Sequence, residues 1–472
     1  MTRLIVHAPP TYTAERRYIL GVVLTERLGL DFDLVAHDSQ AVRLTALDDP
    51  IGRSLTMPDV LFGTPRSSWL TSTCLPAQPL RRWRVEDDLP DAAPASPLPI
   101  LFGEPLPSER WLTQRAADLH LRVDVLGTVF FLLTRMEEVV IEERDEHDRF
   151  PSTNSVLQQE DVLLRPIGDE HIEVLWACLQ RQWAQLQRRS FGYSVFLSHD
   201  VDMPTACAPV TLQRAVRASA HDVLSGEPGL ALRRFQAHLH LMIGGSDVRD
   251  PADTFAFIMD TSDRVGLQSS FNMMAGGSVA PFEGYYALDD PKIVRLARMI
   301  HGRGHLLGFH PSYATYRDPE LLKAEFTRLL RFADAHGVTQ KVWGGRQHYL
   351  RWSNPDTWQA WEDAGLAFDS TLGYADRAGF RCGTCHPFPV FNLHTGSPLA
   401  LVERPLHVMD ATVINYMRLD DDACLDLTEQ IATACRRYRG EFALLWHNWP
   451  LLGTRGLQNL YANVIDLITA GT

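Results

Sequence analysis

The sequence predicts an α/β protein in two parts, and three observations carry that reading. From about residue 193 onward, short apolar runs alternate with amphipathic runs of helical period, the pattern of parallel strands joined by crossover helices. Most of those helical runs are punctuated, with aspartate or Asp-Pro at the start and glycine at the end. The first 190 residues lack this regularity and mix strand-like and helical runs with a proline-rich loop.

Along the first part, "RLIVHAP" reads as a strand and "AERRYILGVVLTERLGL" as a helix with an apolar stripe. The stretch "RVEDDLPDAAPASPLPILFGEPLP" reads as loop with one short strand. Residues 171–189, "HIEVLWACLQRQWAQLQRR", form a helix whose basic end suits a C-terminus. Ser190, Phe191 and Gly192 break it, which sets a boundary between an N-terminal part, 1–190, and a second part, 191–472.

In the second part "SVFLS", "QSSFNMM", "HLLGFH" and "FALLWH" are strands, and "KVWGGRQHY" is a strand running into a loop. "AFDSTLG", "LALVE" and "PLHVM" are strand-like. The helices between them include "DDPKIVRLARMIHGRG", with an aspartate cap and Pro291 in the first turn, and "DPELLKAEFTRLLRFADAHG", with Asp318, Pro319 and Gly337 as cap, first residue and stop. Either a barrel or a doubly wound sheet accommodates this alternation.

Composition narrows the function. The 472 residues are 45% hydrophobic, enough for more than one core, and carry a net charge of −13, which argues against binding to nucleic-acid phosphates. Seven cysteines at irregular spacing fit reduced thiols better than a disulfide framework. Cys382 and Cys385 lie in a lone "CGTC" that opens no thioredoxin-like pattern, so packing of a loop, or a metal clip needing two more ligands, is the expected role. The most apolar window, "VLGTVFFLLT", is about half the ~20 residues of a membrane helix. The N-terminus is broken by Pro9, Pro10 and Glu15-Arg16-Arg17 and does not read as a secretory signal. The expectation is a cytoplasmic protein without a membrane span.

Acids and histidines follow the apolar strands of the second part: His199, Asp200 and Asp202, then His310, Arg346 and His348, Asp369, and His447. In parallel α/β folds the C-terminal strand ends share one face, where sites are built. Asp200 and Asp202 are two apart, so an extended backbone turns both carboxylates to one side. Two buried carboxylates repel unless a cation lies beside each, and a metal for one and an arginine for the other would satisfy that.

With these residues, the second part resembles the polysaccharide deacetylases of carbohydrate esterase family four. Its "SHDVD", "GHLLGFHPSY", "GGRQHYLRW", "FDSTLG" and "LLWH" occur in the family's order over about 280 residues. More loosely, "LGTVFFLLTRMEE", "RDEHDRFP" and "RAGFRCGTCHPFPVFNL" resemble a bacterial subgroup with an extra N-terminal domain.

The resemblance implies a distorted (β/α) barrel, a divalent metal that is usually zinc, and hydrolysis of an N-acetyl group from an amino sugar, oligosaccharide or glycan. By position, Asp200 would be the general base, Asp202 and His310 metal ligands, Arg346 the holder of Asp200, His447 the general acid, and Asp369 the residue that orients His447.

Two departures stand out. Val201 separates the two acids, and Ala314 occupies the place of the family's second metal histidine. His348 is the substitute suggested by spacing, two residues past Arg346 and on the same face of an extended segment; His199 and Tyr313 are the alternatives. Tyr349, Trp352, Trp446 and Trp449 are candidates for an aromatic sugar platform. The competing readings are hydrolysis of another C–N bond, as in a cyclic amide, and a catalytically silent carbohydrate-binding protein.

Overall fold

A computed structural model describes the chain apart from residues 1–2, 91, 93, 106–109, 205–231, 233–253, 277–285, 449–450, 452–454 and 471–472. Trp449 lies outside the described residues.

The chain forms a mixed α/β structure on two main sheets. The first takes strands β1 (Leu4–Ala8), β2 (Phe32–Ala36), β3 (Ala41–Ala46) and β4 (Ser54–Pro58). A small hairpin of β5 (Arg81–Trp83) and β6 (Leu98–Ile100) stands apart, and β7 (Leu112–Arg115) and β8 (Asp118–Leu121) complete the first sheet. Its order is β2-β1-β3-β4-β8-β7, with parallel and antiparallel pairs mixed. The apolar run after Asp124 is helix Val125–Leu133, buried on every side. All-round burial, rather than a membrane, accounts for its hydrophobicity. No helix among the described residues is long and apolar enough to cross a membrane.

The second sheet has nine strands. These are β9 (Ser194–Val201), β10 (Ser269–Met274), β11 (Leu306–His310), β12 (Gly344–Gly345), β13 (Phe368–Asp369), β14 (Phe388–Asn392), β15 (Ser397–Glu403), β16 (Val408–Met409) and β17 (Glu441–Leu445). Their order is β14-β15-β13-β12-β11-β10-β9-β17-β16. Every pair is parallel except β14 with β15. Without β14, the eight parallel strands follow the cyclic succession of a (β/α) barrel, since β17 returns to pair with β9. The expected barrel is not closed, because β15 and β16 do not pair among the described residues.

The helices between strands carry their signals as the sequence dictates. Asp290 accepts from Lys292 N at 2.8 Å with Pro291 in the first turn, and Asp318 accepts from Leu321 N at 2.9 Å ahead of Pro319.

The two parts share a continuous core. Tyr18 packs on Phe391 at 4.9 Å and donates to Pro389 O at 2.7 Å, while Phe130 meets Phe391 at 5.5 Å. A buried ionic network crosses beside them. Arg135 pairs with Glu137 and Glu138 and donates to Arg381 O, and Arg381 pairs with Glu138 at 2.6 Å. The "TRMEE" and "FRCGTC" stretches are thus two sides of one contact.

Candidate metal centre

The parallel strands end on one face, and the polar residues that follow their apolar runs converge there. Along β9 the side chains alternate. Asp200 and Asp202 line a cleft of about 340 Å³. His199 and Val201 point the other way. His199 donates through Nδ1 to Trp446 O at 2.7 Å and lies on Phe271 at 4.9 Å. Burial pushes its imidazole down to about 3. His199 thus packs into the core, apart from the group of ligand-capable atoms formed by Asp202, His310 and His348.

Asp200 is held from two sides. Its Oδ1 accepts from Asn272 Nδ2 at 2.7 Å and from Arg346 Nη1 at 3.1 Å. Gly308 lies beside Asn272 across the β10–β11 register, and a Cβ at 308 would fall 1.8 Å from Asn272 Oδ1. The glycine thus leaves the space through which Asn272 reaches Asp200. Arg346 is fully buried and also donates to Ser370 O and Ser198 Oγ. Burial opposes the charge on Asp200, but His310 and Arg346 outweigh it and keep its pKa below the usual carboxylate range.

Asp202, His310 and His348 form the second group. Asp202 Oδ1 lies 3.2 Å from His310 Nε2 and 3.8 Å from His348 Nε2. The ligand-capable atoms of the three residues lie within 4.8 Å of one another. His310 Nδ1 donates to Arg346 O at 2.7 Å, so its neutral form turns a lone pair on Nε2 toward the carboxylate. Asp202 Oδ1 and His310 Nε2 are both buried without a hydrogen-bonding partner.

Two acceptors facing each other in a buried site call for a cation between them. Tetrahedral zinc with bonds of about 2.0–2.2 Å places its donors about 3.4 Å apart, and the two distances here bracket that value. The donor set of one carboxylate and two imidazoles fits a divalent ion of the zinc class. Tyr313, the other alternative ligand, instead faces His147 Nδ1 through its hydroxyl at 3.0 Å.

His447 follows β17 and lines the same cleft. Its Nδ1 lies 2.7 Å from Asp410 Oδ1, its backbone N–H donates to Asp410 Oδ2, and its Nε2 lies 3.6 Å from Asp202 Oδ2. Burial opposes the charged imidazole, but Asp410, with Asp202 and Asp200 behind it, raises its pKa to about 10.

This corrects the expectation for Asp369, whose carboxylate accepts from Thr371 N and Thr371 Oγ1 and pairs with neither imidazole nitrogen of His447. Burial raises Asp369 to about 7. Asp410 is absent from the sequence candidates, although it directly follows the strand-like "PLHVM" and obeys the strand-end rule that finds the other acids.

The aromatic platform is also corrected. Trp352 and Trp446 are buried; Trp352 packs on Trp358 at 4.7 Å and Trp446 on Tyr461 at 5.4 Å. Only Tyr349 of the described candidates lines the cleft, where Tyr416 joins it. Apolar Leu350, Ala375, Met409 and Leu445 also line the cleft.

A second cluster, Asp169, Cys385 and His386, also brings ligand types together. It does not fit a metal. Asp169 already accepts from Thr384 Oγ1 and Cys385 N, both at 2.9 Å, and pairs with Arg27 at 3.2 Å. The Cys385 thiol donates to Asp169 Oδ2 at 3.2 Å, and burial raises it well above its ordinary value. Cys382 and Cys385 are buried free thiols that pack their loop.

Residues 4–184 match the model of a family of unknown function, DUF7033. No curated protein matches the chain. Among solved structures, one from Mycobacterium smegmatis assigned as a polysaccharide deacetylase is similar with a TM-score of 0.38 and 16% identity, covering 60% of this chain and 86% of that one. A Puue allantoinase is similar with a TM-score of 0.34 and 11% identity, covering 59% of this chain and 84% of that one.

Proposed function

We propose that the chain is a metal-dependent hydrolase that cleaves the amide C–N bond of an N-acylated amino sugar, with zinc as the ion. The observation that carries this reading is the convergence of three units at one set of strand ends: Asp200 with Arg346, Asp202 with His310 and His348, and His447 with Asp410. In this reading residues 191–472 are the catalytic part, a distorted (β/α) barrel with its seam between β15 and β16, and residues 1–190 are an accessory part.

Asp202, His310 and His348 would hold the ion, which when bound supplies Lewis acidity toward the amide carbonyl and acidifies water nearby. Asp200 takes the proton of the attacking water. Its Oδ1 is occupied by Asn272 and Arg346, which leaves Oδ2, 3.8 Å from His310 Nε2, for that transfer. An amine is a poor leaving group and has to be protonated as the C–N bond breaks. His447 donates that proton from Nε2, while Asp410 on Nδ1 fixes the tautomer and keeps the ring charged at neutral pH. Tyr349 and Tyr416 line the cleft on the side that takes the sugar, and Leu350, Met409 and Leu445 receive the acyl group.

The direct test is acetate release from N-acetylglucosamine oligomers by zinc-loaded protein. Release is expected from the wild type, with a fall of at least ~100-fold in Asp200→Asn and His447→Gln, as removal of a proton-transfer group implies. Absence of release from N-acetylated mono- and oligosaccharides would overturn the carbohydrate assignment. Ring opening of a cyclic amide under the same conditions would move the reaction to the alternative C–N substrate.

A further inference from the structure

We infer that the N-terminal part completes the metal centre by clamping the segment that carries His348, with Arg149 as the positioning residue. This rests on the reading of Asp202, His310 and His348 as the ligand set. Two of those ligands sit on or just past strands, with Asp202 after β9 and His310 at the end of β11. His348 instead opens a short turn, His348–Leu350, whose next two residues have left-handed backbones: Tyr349 at φ 60° and Leu350 at φ 54°. Bulky side chains disfavour that region, and it persists only where the surroundings enforce it.

Contacts from "RDEHDRFP" in the N-terminal part meet this turn, beside those of Tyr313, whose carbonyl accepts from Arg351 Nη1 at 2.5 Å and whose ring lies 5.4 Å from that of Tyr349. Arg149 donates from Nη1 to Tyr349 O at 3.2 Å, so it holds the carbonyl of the first strained residue. Asp145 fixes Arg149 in turn: Oδ1 accepts from Arg149 N at 2.9 Å and Oδ2 from Arg149 Nε at 2.8 Å. The His147 ring lies 4.8 Å from the Tyr349 ring, and His147 O accepts from Arg351 Nε at 2.7 Å. Tyr349 and Arg351 flank Leu350, so the turn is gripped on both sides.

The position four past His310 is Ala314, so the third residue of the ligand set comes from this strained turn and not from the segment after β11. A ligand set borrowed from a strained turn therefore depends on the neighbouring part of the chain. The same Arg149 lines the cleft wall beside His348 and Tyr349.

The test measures metal affinity of the full-length protein with Zn²⁺ by chelator competition, and the ligand field with Co²⁺ by its visible absorption. Arg149→Ala is expected to lower Zn²⁺ affinity ~10–100-fold, the range for loss of a residue that orients a metal ligand, and to shift the Co²⁺ spectrum toward that of His348→Ala. The double variant His348→Ala/Arg149→Ala is expected to bind no more weakly than His348→Ala, because Arg149 acts through His348.

Arg149→Lys keeps the ion pair with Asp145 and loses the second arm that reaches Tyr349 O. It covers the case in which the alanine variant fails to fold, and it too is expected to bind more weakly. Wild-type affinity and spectrum in the folded Arg149 variants would overturn the clamp, as would additive losses in the double variant. If the wild type itself binds no Zn²⁺ at these residues, the ligand assignment fails instead, and the two failures are distinguishable.

Discussion

Asp202 Oδ1 and His310 Nε2 face each other at 3.2 Å inside the protein, while the other nitrogen of His310 is committed to the carbonyl of Arg346. Either a proton or a metal ion has to lie between them, and each choice has a measurable consequence.

Zn²⁺ at 100 times its dissociation constant is expected to stabilise the protein by about 2.7 kcal/mol, since binding to the folded state alone shifts unfolding by mass action. Thermal unfolding with and without the ion, and after chelation, reads this directly. His348→Ala is expected to remove most of the shift while leaving the metal-free melting temperature close to that of the wild type. An unchanged Zn²⁺ response in that variant would exclude His348 as a ligand.

The Asp410–His447 pair sets a pH prediction for the metal-free protein. The folded pKa of His447, about 10, is above its ordinary value near 6.5. Its stabilising contribution is therefore fully present below about pH 6.5 and is lost as pH rises through about 10. Asp410→Asn is expected to bring the titration back by at least ~1 unit, followed by NMR of the imidazole. Asp369→Asn is expected to leave it in place. Movement in the second variant and not the first would restore Asp369 as the partner.

Arg346 is a buried cation whose main charge partner is Asp200 at 3.1 Å. Arg346→Ala removes one of the two cations that hold this buried carboxylate, leaving His310 and the Asn272 donor, and a loss of up to about 3–5 kcal/mol is expected in urea unfolding. Adding Asp200→Asn is expected to recover part of the loss, because the remaining side chain no longer carries charge. A surface-like cost, under ~1 kcal/mol, would show that Arg346 and Asp200 are not a coupled buried pair.

Trp446 is packed behind the site and does not line it. Trp446→Ala is expected to cost about 3–5 kcal/mol as a core truncation. The comparison is with Tyr349→Phe, which is expected to keep stability and to alter sugar binding. Sugar affinity by titration calorimetry, set against the unfolding midpoint, separates the two roles.

The reach of the sequence follows from what each signal encodes. The strand-end rule places Asp200, Asp202, His310, Arg346, His348 and His447 in one region, and the structure brings them together because parallel strands share an orientation. Parity along a strand separates Asp202 from Val201. The same parity puts Trp446 on the outer face, since Leu445 and His447 both line the cleft. Alternation along "FALLWH" is therefore a sufficient reason to leave Trp446 out of a sugar platform.

Asn272 is less visible. It lies in a strand buried along its whole length, and only the missing side chain at Gly308 on the next strand makes room for its amide. Which carboxylate faces His447 depends on how β16 and β13 sit around the ring, information that spacing along one strand does not contain. The strain at Tyr349 and Leu350 is hidden for another reason: neither is a glycine, so nothing in the residue types marks a left-handed turn.

The core shared between the two parts bears on how the protein can be cut. A gene fragment starting near residue 191 would leave Phe391 and Pro389 without Tyr18 and Phe130, and would strand the Arg381 guanidinium without Glu138. Such a fragment would expose an apolar face and an uncompensated cation where the intact chain has solid interior. It is expected to aggregate on expression, whereas co-expression with residues 1–190 as a separate chain should return it to solution. The break at Ser190–Gly192 divides two sheets that share one core.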